Sequence, residues 1–334
     1  MPRRPAPAGG ARRRLLLAAG ALAAAGIRPA AAQSFPARPL RILVPSGPGT
    51  TSDAVARFFS EAMARRLGSP VVVENRAGAG ALLGYMAAIK APPDGYTLLI
   101  ASQPRYTMPL FSPETARFDS IRDFSSIARV ARTSLVLAVS QDAPYRSLAE
   151  LVQAMQARPG ELTYASQGVG SSAHLCAVLL NALTGTSANH VAYKETSSGV
   201  LDVAARRVDF TCQGSGSALS LVQAGTLRAL AVTGPDRWEA LPQVPTGAEA
   251  GLPGLRIFSG LDFLAPAGVP GPIAQVLSDA ILQAADTPAF RQFCSRNAYT
   301  VDLQDHQRLT ALAPTELAAF QRLFALASGT QRGT

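Results

Sequence analysis

The sequence predicts an α/β fold, and three observations carry that prediction. From Leu40 onward, short apolar β-branched runs alternate with stretches of helical spacing. Of the 334 residues, 48% are apolar and only 16% charged, a globular composition far from the profile of disorder. Two strand-to-helix junctions are rich in Gly, Ser and Thr. The length fits two domains of ordinary size.

The elements read in order as follows. Leu40–Val44 is the first strand, and the Thr50-Thr51-Ser52 cluster caps a helix over Asp53–Leu67. A strand at Val71–Glu74 precedes a helix over Ala79–Lys90 that ends before Pro92-Pro93. Strands follow at Thr97–Ala101 and Leu135–Val139, then a helix over Ser147–Ala157 that stops at Pro159-Gly160. Next come a strand at Leu162–Ala165, a helix over Ser171–Leu183 ending at Gly185, and a short helix over Ser198–Arg206. Strands at Val208–Cys212 and Leu227–Val232 lead into a Pro- and Gly-rich stretch, Leu241 to Gly254. That stretch should wrap over a surface, and Trp238, in the preceding Pro235-Asp236-Arg237-Trp238 segment, is read as a surface cover. A strand at Phe258–Leu264 precedes the turn-rich 265–272, where Pro272 suits a helix start. Three helices close the chain, Ile273–Ala285, Pro288–Asn297 and His306–Leu326, with fraying expected from Ser328 to Thr334.

Charge gives a false lead that position corrects. The formal net charge of +9 invites a polyanion partner. Six arginines (Arg3, Arg4, Arg12, Arg13, Arg14 and Arg28) and no acidic residue lie in the first 32 positions, leaving a net +3 beyond them. Basic residues elsewhere are dispersed without interleaved aromatics, so nucleic acid has no footprint. The basic start, the 13-residue apolar run Leu15–Ile27 and Ala30-Ala31-Ala32 read as a cleaved export signal over 1–32. Arg13-Arg14 before Leu15 is twin-arginine-like. Thirteen residues are too few to span a bilayer and no later stretch reaches that length, so the mature chain is expected to be exported and soluble. Three cysteines make no disulfide framework, and Cys176 and Cys212 are read as buried free thiols.

Two loops can carry chemistry. Pro45-Ser46-Gly47-Pro48-Gly49-Thr50-Thr51-Ser52-Asp53 follows the first strand, and Ser166-Gln167-Gly168-Val169-Gly170-Ser171-Ser172-Ala173-His174 follows the strand at 162–165. Each sets Gly-freed N–H groups and hydroxyls at a helix N-terminus, which can hold an anion without a cationic side chain. Plain helix capping by Ser and Thr accounts for either loop taken alone. Neither loop has the Lys of a nucleotide-phosphate loop. Gly168-x-Gly170-x-x-Ala173 matches the relaxed dinucleotide fingerprint, but the acidic residue expected about 20 positions on is missing. No G-x-S-x-G elbow occurs, and His174, His190 and His306 are too dispersed for a metal site. No metal, cofactor or catalytic residue is predicted.

From Phe35 to about Leu326 the chain resembles the Bug family, the substrate-binding proteins of tripartite tricarboxylate transporters. The matching segments run in order: FPARPLRILVP (35–45), VVVENRAGAGA (71–81), PDGYTLL (93–99), YASQGVGSSAHL (164–175), Tyr193-Lys194-Glu195, Gly225–Gly254 and LAPAGVPGP (264–272). The resemblance implies a type II periplasmic-binding fold, two α/β lobes joined by a two-strand hinge. One lobe would combine 35–137 with 239–334 and the other would span 138–238. It further implies a small organic carboxylate in the interlobe cleft. The expected contacts are Gly47, Pro48, Gly49, Thr50 and Thr51 from one lobe, and Ser166, Gln167, Gly170, Ser171 and Ser172 from the other. Ser102, Gln103 and Gln213 would line the pocket, while Asp53, His174 and Tyr193 would brace it from behind. The partners implied are the membrane components of such a transporter, or a sensor kinase, with the receptor a monomer.

The departures from the family pattern bear on specificity. Ser46-Gly47-Pro48-Gly49-Thr50 stands where Phe-Pro-Pro-Gly-Gly is usual, which removes an aromatic from that wall. Ala192 and Glu195 replace a Pro and a Gly around Tyr193-Lys194. Gln213 stands where Asp is common, Gly260 where an aromatic is, and Asp262 where Gly is. A neutral amide at 213 pairs poorly with an α-ammonium, so a non-aminated carboxylate is expected. The competing expectation is an exported α/β enzyme, hydrolase-like, on the same scaffold.

Overall fold

The apolar run LRILV forms strand β1 (Leu40–Val44) in the computed structural model, which describes Met1 and residues 35–331. The export-signal expectation falls on residues outside that description. Helix α1 (Thr51–Leu67) is capped at its start by Thr50, whose side chain accepts from Asp53 N, and at its end by Gly68 at φ +64°. It buries Val55, Phe59 and Met63 against the sheet. Strand β2 (Val71–Asn75) pairs parallel with β1, with Leu40 opposite Val71. Helix α2 (Leu82–Ile89) leads to β3 (Thr97–Ala101), which pairs parallel with β1 on its other side.

Helix α3 (Pro104–Phe111) and strand β4 (Phe124–Ser134) follow. The chain then passes through Leu135 into β5 (Val136–Ser140), which belongs to a second sheet. Helix α4 (Leu148–Ala157), β6 (Thr163–Ser166), α5 (Ser172–Thr184), β7 (Asn189–Ala192) and α6 (Thr196–Ala204) build that sheet, with β8 (Phe210–Gln213), α7 (Ser215–Gln223) and β9 (Leu227–Val232). The chain returns to the first sheet in β10 (Phe258–Pro266) and ends with α8 (Gly271–Ala285), α9 (Pro288–Arg296), β11 (Thr300–Gln304) and α10 (His306–Gln331). The sheets are ordered β11-β4-β10-β3-β1-β2 and β7-β6-β8-β5-β9. Each is mixed, with parallel strands on one side and antiparallel ones on the other. Two α/β lobes result.

The two passages between the lobes are stitched at one side chain. Thr233, wholly buried, accepts the Leu135 N–H and donates to the Ile257 carbonyl through Oγ1. Its backbone pairs with the same two residues, N to Leu135 O and O from Ile257 N. A hydroxyl is needed there because both crossing strands leave buried peptide groups at the break between sheets.

A buried ion cluster holds β4, β10 and α10 together. Arg129, 2% exposed, donates to both carboxylate oxygens of Asp262 at 2.7 and 3.0 Å and to Glu316 on α10. Burial would lower its pKa, but Asp262 and Glu316 more than offset this, and the guanidinium is held above its usual range. Tyr106 donates to Glu316 from α3 at 3.0 Å. A Cβ on Gly260 would lie 2.2 Å from Arg129 Nε, so the space beside this strand position belongs to the guanidinium.

Several expectations need correction. Cys176 and Cys212 are not free thiols: α5 packs over β8, bringing their Cα atoms to 6.3 Å, and they form a disulfide. Cys294 stays a free, buried thiol. Trp238 is not a surface cover; it is 2% exposed, donates to Ser134 Oγ at 2.8 Å and packs with Val136, Leu241 and Val244. Helix α10 continues through Ser328 to Gln331 rather than fraying there. Strands β4, β7 and β11 and helices α3 and α7 add elements that sequence patterning did not show.

Denaturing the protein without reductant is expected to expose one alkylatable thiol by mass spectrometry, and three would overturn the pairing. Gly260→Ala is expected to lower equilibrium stability to urea by about 1–3 kcal/mol through overpacking against Arg129. An unchanged midpoint would show that the guanidinium does not fill that space.

Candidate functional site

Four helix N-termini meet a cleft between the lobes. Its polar part, about 250 Å³, is lined by Ser52 of α1, Ser172 of α5, and Gly214, Ser215 and Gly216 at the start of α7, with Gln167 and Gln213. Its central part, about 460 Å³, takes Ser102, Gln103 and Pro104 at the start of α3, with Gly170, Ser171 and Ser172 opposite. The two parts share Ser102, Thr133, Leu135, Gln167 and Ser172. None of the lining residues is a Lys, Arg, His, Asp or Glu. The polar groups offered are hydroxyls, amides and peptide N–H groups at helix starts, which favour an anion without a countercharge.

The α5 start is the better built of the two predicted loops. Ser171 caps α5, accepting from His174 N at 3.3 Å and donating to the Gly168 carbonyl at 2.7 Å. Gly170 sits at φ +82°, and a Cβ there would come 2.7 Å from the Phe111 ring of α3. Only glycine permits that backbone and that approach across the cleft. Gln103 crosses the cleft too: its Oε1 accepts from the Ser172 hydroxyl and its Nε2 donates to Gly170 O at 3.4 Å. Gln167 Nε2 donates to Gln213 Oε1 at 3.2 Å, and Gln213 Nε2 donates to Thr211 Oγ1 at 2.9 Å, so the buried Gln213 amide is held from two sides. Ser102 is fixed by Tyr85, whose hydroxyl accepts from Ser102 N at 3.3 Å.

The first loop is arranged differently. Gly47, Pro48, Gly49 and Thr50 line neither part of the cleft, and Thr51 opens α1; Ser52 is the residue from this junction that reaches the polar part. Asp53, 3% exposed, accepts from Gly49 N at 2.9 Å, Arg57 Nε at 2.9 Å and Asn75 Nδ2 at 3.0 Å. The Arg57 hydrogen bond foremost lowers its pKa from 3.8 to about 2, against the opposing effect of burial. The Gly49 N–H is therefore already used inside the protein. Asn75 and Arg57, which no pattern singled out, lock this turn.

Ser166, His174 and Tyr193 stand behind the cleft. His174 Nδ1 accepts from Gly170 N at 3.3 Å, which places its ring proton on Nε2. Burial foremost, then the neighbouring His190, lowers its pKa from 6.5 to about 4. Tyr193 donates to Asp202 at 2.7 Å and packs its ring on Gly199 of α6. Ser166 and His190 approach to 2.6 Å, but Ser166 is 1% exposed and neither residue lines the cleft. That pair does not face the cleft, where a nucleophile and base acting on a bound substrate would stand. Sequence reasoning missed the cleft's apolar wall, Met108, Phe111, Phe258 and Phe320, which comes from elements it did not place or did not join.

Known proteins share this architecture. A sequence profile described as "Tripartite tricarboxylate transporter family receptor" matches residues 55–326. Protein BugT of Bordetella pertussis is 35% identical over 270 residues, 80% of this chain and 83% of that protein. An R. palustris protein solved with adipate superposes with a TM-score of 0.76 at 28% identity, over 88% of this chain and 98% of that one. MatC from Rhodopseudomonas palustris, solved with bound malate, gives 0.72 at 27% identity over 87% and 100%.

The His174 ring is expected to titrate near pH 4 in the folded protein by NMR. Because the unfolded ring takes its proton near 6.5, stability should fall as pH drops from 6.5 toward 4 and gain no further loss from this group below that. A His174 midpoint near 6.5 would show that the ring is not the buried acceptor of the Gly170 N–H.

Proposed function

The chain belongs to the tripartite tricarboxylate transporter receptor family, and from that membership we propose that it captures a small organic carboxylate between its lobes. The observation that carries this reading is the uncharged cleft into which four helix N-termini open. A carboxylate there exchanges water for hydroxyl and peptide donors in a partly dehydrated site, where helix dipoles act strongly. Relatives solved with adipate and malate supply the ligand class.

In this reading Ser102, Gln103, Gln167, Gly170, Ser171, Ser172 and Gln213 contact the ligand. The 47–51 loop acts through the α1 start that it caps, and Asp53, His174 and Tyr193 hold the loops in place. We assign 35–137 with 239–334 to one lobe and 138–238 to the other, with the hinge at Leu135 and Thr233. Residues 1–32 are removed on export, and the mature receptor works in the periplasm as a monomer. It performs no chemistry of its own and needs no cofactor or metal. It hands its ligand to the transporter's membrane components, or reports it to a sensor kinase.

A thermal-shift screen against mono- and dicarboxylates and their α-amino analogues tests this. A ligand at 100 times its dissociation constant adds about 2.7 kcal/mol of stability. Because Gln213 offers no carboxylate to an ammonium, deaminated acids are expected to outperform aspartate and glutamate. Amino acids binding far tighter than their deaminated analogues would overturn that preference. No shift with any acid, together with turnover of a test ester, would overturn the receptor itself.

A further inference from the structure

The central cleft has two unlike ends. Where it joins the polar part it presents Ser102, Thr133, Gln167 and Ser172. The other wall is built from Met108 and Phe111 of α3, Phe258 of β10 and Phe320 of α10. That wall is held in place: Phe320 stacks on Tyr106 with centroids 5.4 Å apart, and Phe111 meets Phe324 edge-on at 4.9 Å. Of the three hydroxyls on this side, two are occupied within the protein, Thr107 Oγ1 donating to Gln103 O and Ser259 Oγ to Gly260 O, and the third, on Ser112, is exposed to solvent.

Beyond Phe258 and Phe320 lies a smaller cavity of about 80 Å³, walled by Tyr106, Leu323 and Glu316. The Glu316 carboxylate there is tied to Arg129 and Tyr106. Arg256, on the same cavity, is exposed to solvent. A second carboxylate placed against this wall would lose its water without gaining a cation in the central cleft, and it would approach Glu316. Such burial is costly, whereas a hydrocarbon there gains by leaving water.

Resting on the carboxylate-receptor reading, we propose that the ligand is a monocarboxylate with an apolar tail, alkyl or aryl. Its carboxylate lies at the helix starts and its tail lies along Met108, Phe111, Phe258 and Phe320. The cleft discriminates by the tail, and dicarboxylates are the poorer ligands.

Calorimetry on the full-length mature protein with acetate, butyrate, hexanoate and phenylacetate, beside succinate and adipate, tests this. The dissociation constant is expected to fall about fourfold per added methylene, and hexanoate should bind at least tenfold tighter than adipate. In Met108→Gln, with its fold checked by melting, the gain per methylene should drop below twofold. Adipate equalling or beating hexanoate would overturn the tail assignment while leaving the receptor reading intact. A full gain per methylene in Met108→Gln would overturn the placement of the tail. No binding by hexanoate or phenylacetate, with another carboxylate binding in the thermal-shift screen, would overturn the tail and leave the receptor reading intact.

Discussion

The fold turns on one buried cation. Arg129 stands in β4, the strand that leaves the first lobe, beside β10, the strand that returns to it, and beneath α10, the last helix. Its pairing with Asp262 sets those two strands against each other, and its pairing with Glu316 docks the terminal helix. A guanidinium suits this place because its planar fork meets two carboxylates at once. Removing one partner of such a pair leaves an uncompensated buried charge, a loss of about 3–5 kcal/mol. The cleft inherits this arrangement, since Phe258 precedes Gly260 on β10 and Phe320 lies one turn beyond Glu316 on α10.

What could be read from sequence was local. Thr50, Ser147, Ser171 and Thr287 cap helices in the structure as hydroxyl residues ahead of helical spacing should. Gly68 and Gly185 end helices in the left-handed conformation. Strand β4 stayed hidden because FSSIARVARTS carries serines and arginines that look solvated. Arg129 is answered by Asp262 and Glu316, 133 and 187 residues further on, and Arg132 by Asp302 and Asp236. Helix α3 was masked by Pro104 and Pro109, although Pro104 sits at the helix start where its missing N–H costs nothing. The disulfide joins residues 36 apart, a relation that only the packing of α5 on β8 creates.

The site was half legible for the same reason. Of the 166–174 loop, Gln167, Gly170, Ser171 and Ser172 line the cleft at the start of α5, while Ser166 and His174 stand behind it. The 47–51 loop is likewise rich in glycine and hydroxyls, yet Asp53 takes up the Gly49 N–H and Thr50 Oγ1 donates to the Gly47 carbonyl, so its donors turn inward. Motif composition cannot separate these cases; the partner of each N–H does. The apolar wall was illegible because α3, β10 and α10 are far apart in the chain and meet only through the Arg129 cluster and the aromatic pairs around Tyr106.

The path of the chain also sets an order of assembly. Strands β5 to β9 are contiguous in sequence and can close their sheet without waiting for later residues. The other sheet has no complete centre until β10 inserts between β3 and β4, with Asp262 registered against Ala101 and Arg129. Those non-local pairings carry the larger loop-closure entropy and form slowly. During synthesis, the half of the cleft bearing Ser171 and Gln213 can mature before the half bearing Ser102. Helix α10, which follows β10 in the chain, then lays Phe320 into place against Tyr106.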